Sequence, residues 1–384
     1  MNNPEHNHVP EACCGLHIRG MDMSQPHRRG AEILQLLDLS DLEPYVVAGQ
    51  GCDAGGDYLC LYLASAQVQA WAPNLDTLQL AQNLRLDTLQ STDDLKREIV
   101  VAMLMGPVAF EFPSVAELVS AVRIRINIVQ AARKTTLAFH TTEAERPDDC
   151  WRYDDDHGFC ILPGASLTNA LIKATQPEVS GTLYSFSCYR ASEYVILLGI
   201  AQEIESCNPA LYAQLQTLWT HSPIKSGLFH EVFLRELGTM EAPLPPKYFV
   251  PGDRTWFRNP DERSAEASGF EGSWVMYLGD GLFSNFWKCN AAYTLTDKCL
   301  EIYHWRHGFY LDAQGQECMD EVKVADLVAS TRTRANEVAR ICALMERYRE
   351  PRGVYTAAGG CLDTTREFAR WVHAETSDLH LPCP

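Results

Sequence analysis

The chain has 384 residues, enough for one large domain with a sizeable core or for two domains. Hydrophobic residues make up 46% and charged residues 21%, an ordinary balance for a folded globular protein. With 32 Lys+Arg against 50 Asp+Glu, the formal charge of −18 argues against general binding of nucleic acid or insertion at anionic membranes, and it tolerates Lys-bearing partners.

Residues 1–30, rich in Asn, His, Pro and Arg, are expected to form a disordered polar tail. No apolar run follows a basic segment in Met1–Gly20, so no signal peptide is expected, and no apolar stretch is long enough to span a membrane. The tail carries His6, His8, Cys13, Cys14 and His17, whose spacing matches no structural metal site; no metal is expected. Fourteen cysteines are spread along the chain with no CxxC, which argues against zinc-ribbon and thioredoxin-type chemistry and against a disulfide framework. The expected setting is the cytoplasm with reduced thiols, although export without a cleaved signal would leave the same sequence.

Residues 31–80 are expected to be an N-terminal extension. In it, Ala31–Leu39 reads as a short helix, Gly49-Gln50-Gly51 and Gly55-Gly56 as turns, and Tyr58–Leu63 as a buried strand. The glycines lack the Gly-Lys-Ser/Thr ending of a phosphate loop. Further on, Ser114-Val115-Ala116-Glu117 is a capping box opening a helix to about Ala132. Leu118, Val122, Ile126 and Val129 form its buried face, and Arg123, Arg125 and Arg133 are expected on a solvated face. Cys150–Tyr153 and Phe159–Leu162 suit a hairpin. Its turn, Asp154-Asp155-Asp156-His157-Gly158, is too incomplete for a calcium loop.

Residues 188–205 are apolar nearly all round and read as a buried central helix. Tyr248–Asn259 and Ser273–Trp287 read as strands, as do 299–312 and 317–324. Leu327–Arg349 reads as one helix of about six turns.

Cys188 follows the strand-like Leu183-Tyr184-Ser185-Phe186 and begins that helix. Unpaired N–H groups and the positive end of the helix dipole favour a thiolate there, the reactive form of cysteine. A thiolate nucleophile needs a partner to take and return protons. Spacing does not identify it; Glu271, Glu301, His304 and His307, near expected strands, are the candidates.

Three stretches resemble the bacterial spore-coat type of protein-glutamine gamma-glutamyltransferase. The first is Phe110-Glu111-Phe112-Pro113-Ser114-Val115-Ala116-Glu117-Leu118, continuing to Arg125-Ile126-Asn127-Ile128-Val129. The second is Phe186-Ser187-Cys188 with its apolar helix. The third is Pro251-Gly252-Asp253-Arg254-Thr255-Trp256-Phe257-Arg258-Asn259-Pro260-Asp261, followed by Gly272 and Val275-Met276-Tyr277-Leu278-Gly279-Asp280-Gly281. The resemblance implies an α+β fold, papain-like or NlpC/P60-like, in which a central antiparallel sheet packs against a buried Cys-bearing helix. It places the catalytic domain in residues 80–384. It implies that Cys188 forms a thioester with a protein glutamine, the acyl donor, and that a lysine amine, the acyl acceptor, resolves it, with no metal or organic cofactor.

Around Cys188 the chain departs from the family pattern. The family has Glu before the nucleophile where this chain has Ser187. It has a catalytic Glu after the glycine matched to Gly272, where this chain has Ser273. It has His where this chain has Phe286, with Asn285 beside it. Ser187 and Ser273 can hydrogen-bond but cannot act as bases near neutral pH. Glu271, two residues before Ser273, is the expected substitute base. Competing readings are a catalytically inactive binding or structural protein on the same scaffold, a glutamine deamidase, and a hydrolase pairing Cys188 with His304 or His307. The N-terminal segment is expected to cover the mouth of the site.

Overall fold

In the computed structural model, residues 14–22, 24–138, 145–223, 225–288, 291–350 and 359–382 are described. The chain starts with β1 (Leu16–Ile18) and α1 (Pro26–Leu36), then the hairpin β2 (Val46–Asp53) and β3 (Gly56–Leu63). Short helices α2 (Ser65–Trp71) and α3 (Leu80–Leu84) lead to α4 (Thr92–Leu104), β4 (Phe110–Phe112) and α5 (Val115–Lys134). The hairpin β5 (Trp151–Asp154) and β6 (Gly158–Ile161) precedes α6 (Leu167–Thr175), α7 (Pro177–Ser180) and the long α8 (Cys188–Cys207). After α9 (Pro209–His221) and α10 (Ser226–Phe233) come β7 (Leu234–Leu237), β8 (Arg254–Arg258), β9 (Gly272–Gly279), β10 (Leu282–Phe283) and β11 (Tyr293–Thr294). The last part holds α11 (Leu295–Gly308), β12 (Phe309–Leu311), β13 (Glu317–Met319), α12 (Glu321–Arg332), α13 (Ala335–Met345) and β14 (Arg366–Ala369).

Where the sequence suggests a polar tail, β1 inserts into a sheet of order β2-β3-β1-β4. Leu16 and Ile18 share one strand face and are fully buried. They share a core with Leu59 and Leu61, and with Ile99, Met103 and Leu118. Residues 14–80 are therefore no separable appendage. β1 pairs in parallel with β4, which lies beyond residue 80. A three-residue strand offers too few positions for its alternation to show in sequence. His6, His8 and Cys13 lie outside the described residues, and His17 stacks on Tyr58 at 4.1 Å. Gly49-Gln50-Gly51 lies inside β2 rather than in a turn.

The second sheet, of order β11-β10-β9-β8-β14-β7, is antiparallel throughout. Both faces are covered, and β9 shows how. Met276 and Leu278 enter the core that holds α5 and α8. Val275 and Tyr277 point to a second core made with α11, α12 and α13. This is the expected α+β layering, with a central antiparallel sheet against a buried Cys-bearing helix. Each fully buried aliphatic side chain on α8 contributes about 1.5–3 kcal/mol; Val195, Leu198 and Ile200 are among them. α8 and α5 approach closely at Gly199, where a Cβ would stand 2.5 Å from Ile128 Cγ1.

The Ser114 hydroxyl caps α5 by accepting from the Glu117 N–H at 3.1 Å. The Glu117 carboxylate does not reach back. It is buried and accepts from Val372 N, His373 N and Thr376 Oγ1 at 2.8, 2.9 and 2.9 Å, tying down the C-terminal segment. Of the three arginines expected on a solvated face, only Arg123 is exposed. Arg125 is buried and pairs with Asp253 at 2.7 Å, and Arg133 donates to the carbonyls of Thr88 and Leu278. The acidic turn is plain: Asp154 Oδ1 accepts from the N–H groups of Asp156 and His157.

Two expectations fail in the C-terminal third. Residues 299–308 are helical, and the expected strand at 317–324 is the short β13 followed by the start of α12. A run of apolar residues cannot by itself separate a buried strand from a buried helix face. The helix expected over Leu327–Arg349 is two helices, because the chain breaks near Thr333 and Arg334.

Candidate active site

Cys188 is the first residue of α8, and its preceding neighbour is the cap: Ser187 Oγ accepts from the Arg190 N–H at 3.3 Å. Ser187 therefore has a structural task, closing the helix end that presents the thiol. Cys188 is half-buried and lines two cavities between α8 and β9.

The sheet is held against this point by aromatic and charged groups. Trp256 and Trp274 are register partners on β8 and β9 and stack at 6.0 Å, with Tyr189 edge-on to Trp274 at 5.3 Å. Arg254 lies over Trp274 at 4.4 Å, donates to Ser192 Oγ of α8 at 3.4 Å, and is ion-paired to Glu367. This ties β8 and β14 to the thiol-bearing helix. Gly272 is required at the end of β9, since a Cβ there would meet Trp256 Nε1 at 2.3 Å and the Phe257 carbonyl at 2.6 Å.

Two cavities share Cys188, Gly269, Gly272 and Trp274. One, of about 300 Å³, adds Ser187, Trp256 and Glu271. The other, of about 130 Å³, adds Ser273, Asn285, Tyr293 and Glu301. A third cavity, of about 250 Å³, is continuous in its lining with the second through Tyr293, Glu301, Trp305 and Glu321.

Electrostatics at the thiol oppose one another. Burial pushes it up. The Trp274 N–H, the Lys298 ammonium and the Tyr189 N–H pull it down, and the Glu271 carboxylate pushes it up again. The balance leaves Cys188 above the ordinary cysteine value, so it rests as a neutral thiol at pH 7.

Of the residues expected to join Cys188, Glu271, Glu301, Ser187 and Ser273 line the cavities it shares. Glu271 is exposed, stands just before β9 and lines the larger shared cavity; Ser273 lines the smaller. His304 and His307 line none of these cavities. His304 bonds Thr331 Oγ1 of α12 through Nε2 at 2.9 Å and His307 Nδ1 through Nδ1 at 3.2 Å. Burial, then the neighbouring His307, pushes His304 down to about 4, so it is neutral at pH 7 and joins two helices. Phe286, where the resemblance expects His, is buried, and with Asn285 it lines the smaller cavity.

Sequence reasoning missed Lys298. It is buried on α11, with Nζ 2.9 Å from Glu301 Oε2 and 4.3 Å from the Tyr293 ring centre. A helical reading of Leu295–Gly308 would have shown a lysine and a glutamate three apart on one face. The strand reading hid the pair.

A helix-borne thiol facing an antiparallel sheet is the layout of cysteine acyl-transfer folds. Residues 75–358 match the sequence model of the protein-glutamine gamma-glutamyltransferase family, and the chain belongs to that family. It is similar to a protein-glutamine gamma-glutamyltransferase from Halalkalibacterium halodurans, with 26% identity over 215 residues, covering 54% of this chain and 69% of that protein. It also resembles, at a TM-score of 0.38 and 19% identity, the solved transglutaminase from Geobacillus stearothermophilus without its C-terminal extension, covering 56% of this chain and 98% of that one.

Proposed function

We propose that the chain is a working protein-glutamine gamma-glutamyltransferase with Cys188 as nucleophile and Glu271 as its base. The observation that carries this reading is the placement of Cys188: first residue of a buried helix, in a cavity it shares with a carboxylate. Glu271 takes the thiol proton as sulfur attacks the carboxamide carbon of a protein glutamine. The C–N bond breaks, the proton passes to the leaving nitrogen, and ammonia departs from a thioester. A lysine amine then attacks the thioester carbonyl, loses a proton to Glu271, and releases the Cys188 sulfur with an isopeptide bond formed.

A deamidase would run the same first half with water in place of the amine. The hydrolase reading with His304 or His307 loses its support, since neither histidine lines a cavity with Cys188. The inactive-scaffold reading draws on the substitutions at Ser187, Ser273 and Phe286 together with the raised thiol.

The test is incorporation of a fluorescent primary amine into casein by wild type, Cys188→Ala and Glu271→Gln, with ammonia release followed in parallel. Signal lost in Cys188→Ala and reduced at least tenfold in Glu271→Gln is expected. Ammonia release without incorporation assigns deamidation. Neither signal from folded wild type removes the enzymatic reading. Wild-type activity in Glu271→Gln removes Glu271 as the base.

The N-terminal segment is not proposed as a cover for this site. No described residue up to Leu75 lines any of the three cavities, and deleting it would strip β1–β3 from the core.

A further inference from the structure

We propose that Lys298, clamped by Glu301, is a positioning residue of this site: its buried ammonium supplies the positive charge against which the Cys188 thiolate forms. The inference rests on the reading of Cys188 as nucleophile. The three positions where the family carries charged or imidazole partners hold Ser187, Ser273 and Phe286, none of which can supply a cation. Lys298 does so from a different element, the first turns of α11. Its side chain is 3% exposed, a costly place for an ammonium unless it is paired. Glu301 Oε2 pairs with it at 2.9 Å, and the faces of Tyr293 and Trp305 lie 4.3 and 5.8 Å from Nζ. Glu301 and Tyr293 are also walls of the smaller cavity that contains Cys188.

The electrostatic coupling is mutual. The ammonium lowers the thiol, and the thiolate raises the ammonium. Burial alone would lower Lys298, but Glu301, Tyr293 and Cys188 together hold it above the ordinary lysine value. Held protonated, it has no lone pair, so it cannot itself attack a thioester on Cys188. A buried lysine beside a thioester is thereby kept from self-acylation. Among the described residues, the other ionisable groups facing the thiol's cavities are Tyr189 on α8, Glu271 before β9, Lys288 after β10, Tyr293 on β11, and Glu301 and Glu321 on α11 and α12. Lys288 is exposed, where solvent screens its charge.

The test reads Cys188 alone and needs no transfer activity, so its failure is separable from failure of the proposed function. The full chain is alkylated with iodoacetamide from pH 6 to 10, and labelling of the Cys188 peptide is followed by mass spectrometry. Lys298→Met is expected to move the alkylation midpoint up by about one pH unit, an about tenfold slower reaction at pH 8. Lys298→Arg restores most of it. Should Lys298→Met fail to show a cooperative thermal transition, Lys298→Gln, able to hydrogen-bond Glu301, carries the same expectation. An unmoved midpoint in folded Lys298→Met or Lys298→Gln overturns the proposal in favour of a packing role.

Discussion

Glu98 of α4 offers a sharp test of the packing behind the sheet. It is fully buried, with the Tyr277 hydroxyl donating to Oε1 at 3.1 Å and the Asp280 N–H shared between both oxygens at 3.1 Å. Burial dominates over these bonds and lifts the carboxyl from its ordinary 4.5 to about 7. At about 1.4 kcal/mol per pH unit, that difference corresponds to about 3 kcal/mol. The sign follows from proton binding. Between pH 4.5 and about 7 the folded state holds a proton that the unfolded state has released, so the Glu98 contribution to stability falls as pH rises through that window. It is constant below and above. Glu98→Gln mimics the protonated form and removes the dependence. Urea unfolding of both proteins at pH 5, 6, 7 and 8 measures it. The variant is expected to gain on wild type as pH rises, by up to about 3 kcal/mol between pH 5 and 8. A difference between the two proteins that stays the same across this range would refute the reasoning.

Asp253→Ala leaves the Arg125 guanidinium buried without its carboxylate and frees the Val250 N–H, which now donates to Asp253 Oδ2 at 2.8 Å; a loss of about 3–5 kcal/mol in urea unfolding is expected, with Asp253→Asn milder. His304→Gln is expected to leave amine incorporation within about twofold of wild type, since His304 joins α11 to α12 and lines none of the cavities at Cys188. A large selective loss of kcat in a folded variant would return His304 to the chemistry.

The elements read correctly from sequence were those with strong local signals. The Ser114 cap and the i, i+4 spacing of Leu118 and Val122 marked α5. Strand character on both sides of a turn of aspartates marked the β5–β6 hairpin. Apolar residues on every side marked α8 and, with it, the position of Cys188. Errors came where a residue's environment is made by distant chain. Arg125 looked solvated until Asp253, 128 residues away, closed over it. Glu117 looked like half of a capping box, yet its carboxylate serves backbone more than 250 residues further on.

The sequence by itself determined the candidate nucleophile and the family pattern around it, because helix periodicity and motif order are local properties of the chain. It also set the expectation that Ser187, Ser273 and Phe286 replace the partners the resemblance implies. Only the tertiary structure decided which groups face the thiol. It brought Glu271 and Glu301 to cavities shared with Cys188, turned His304 away toward α12, and set Lys298 against the cavity-lining Glu301 and Tyr293. These are matters of which helix face meets which strand. Packing of α11 on the sheet settles them, and no spacing along the chain encodes that.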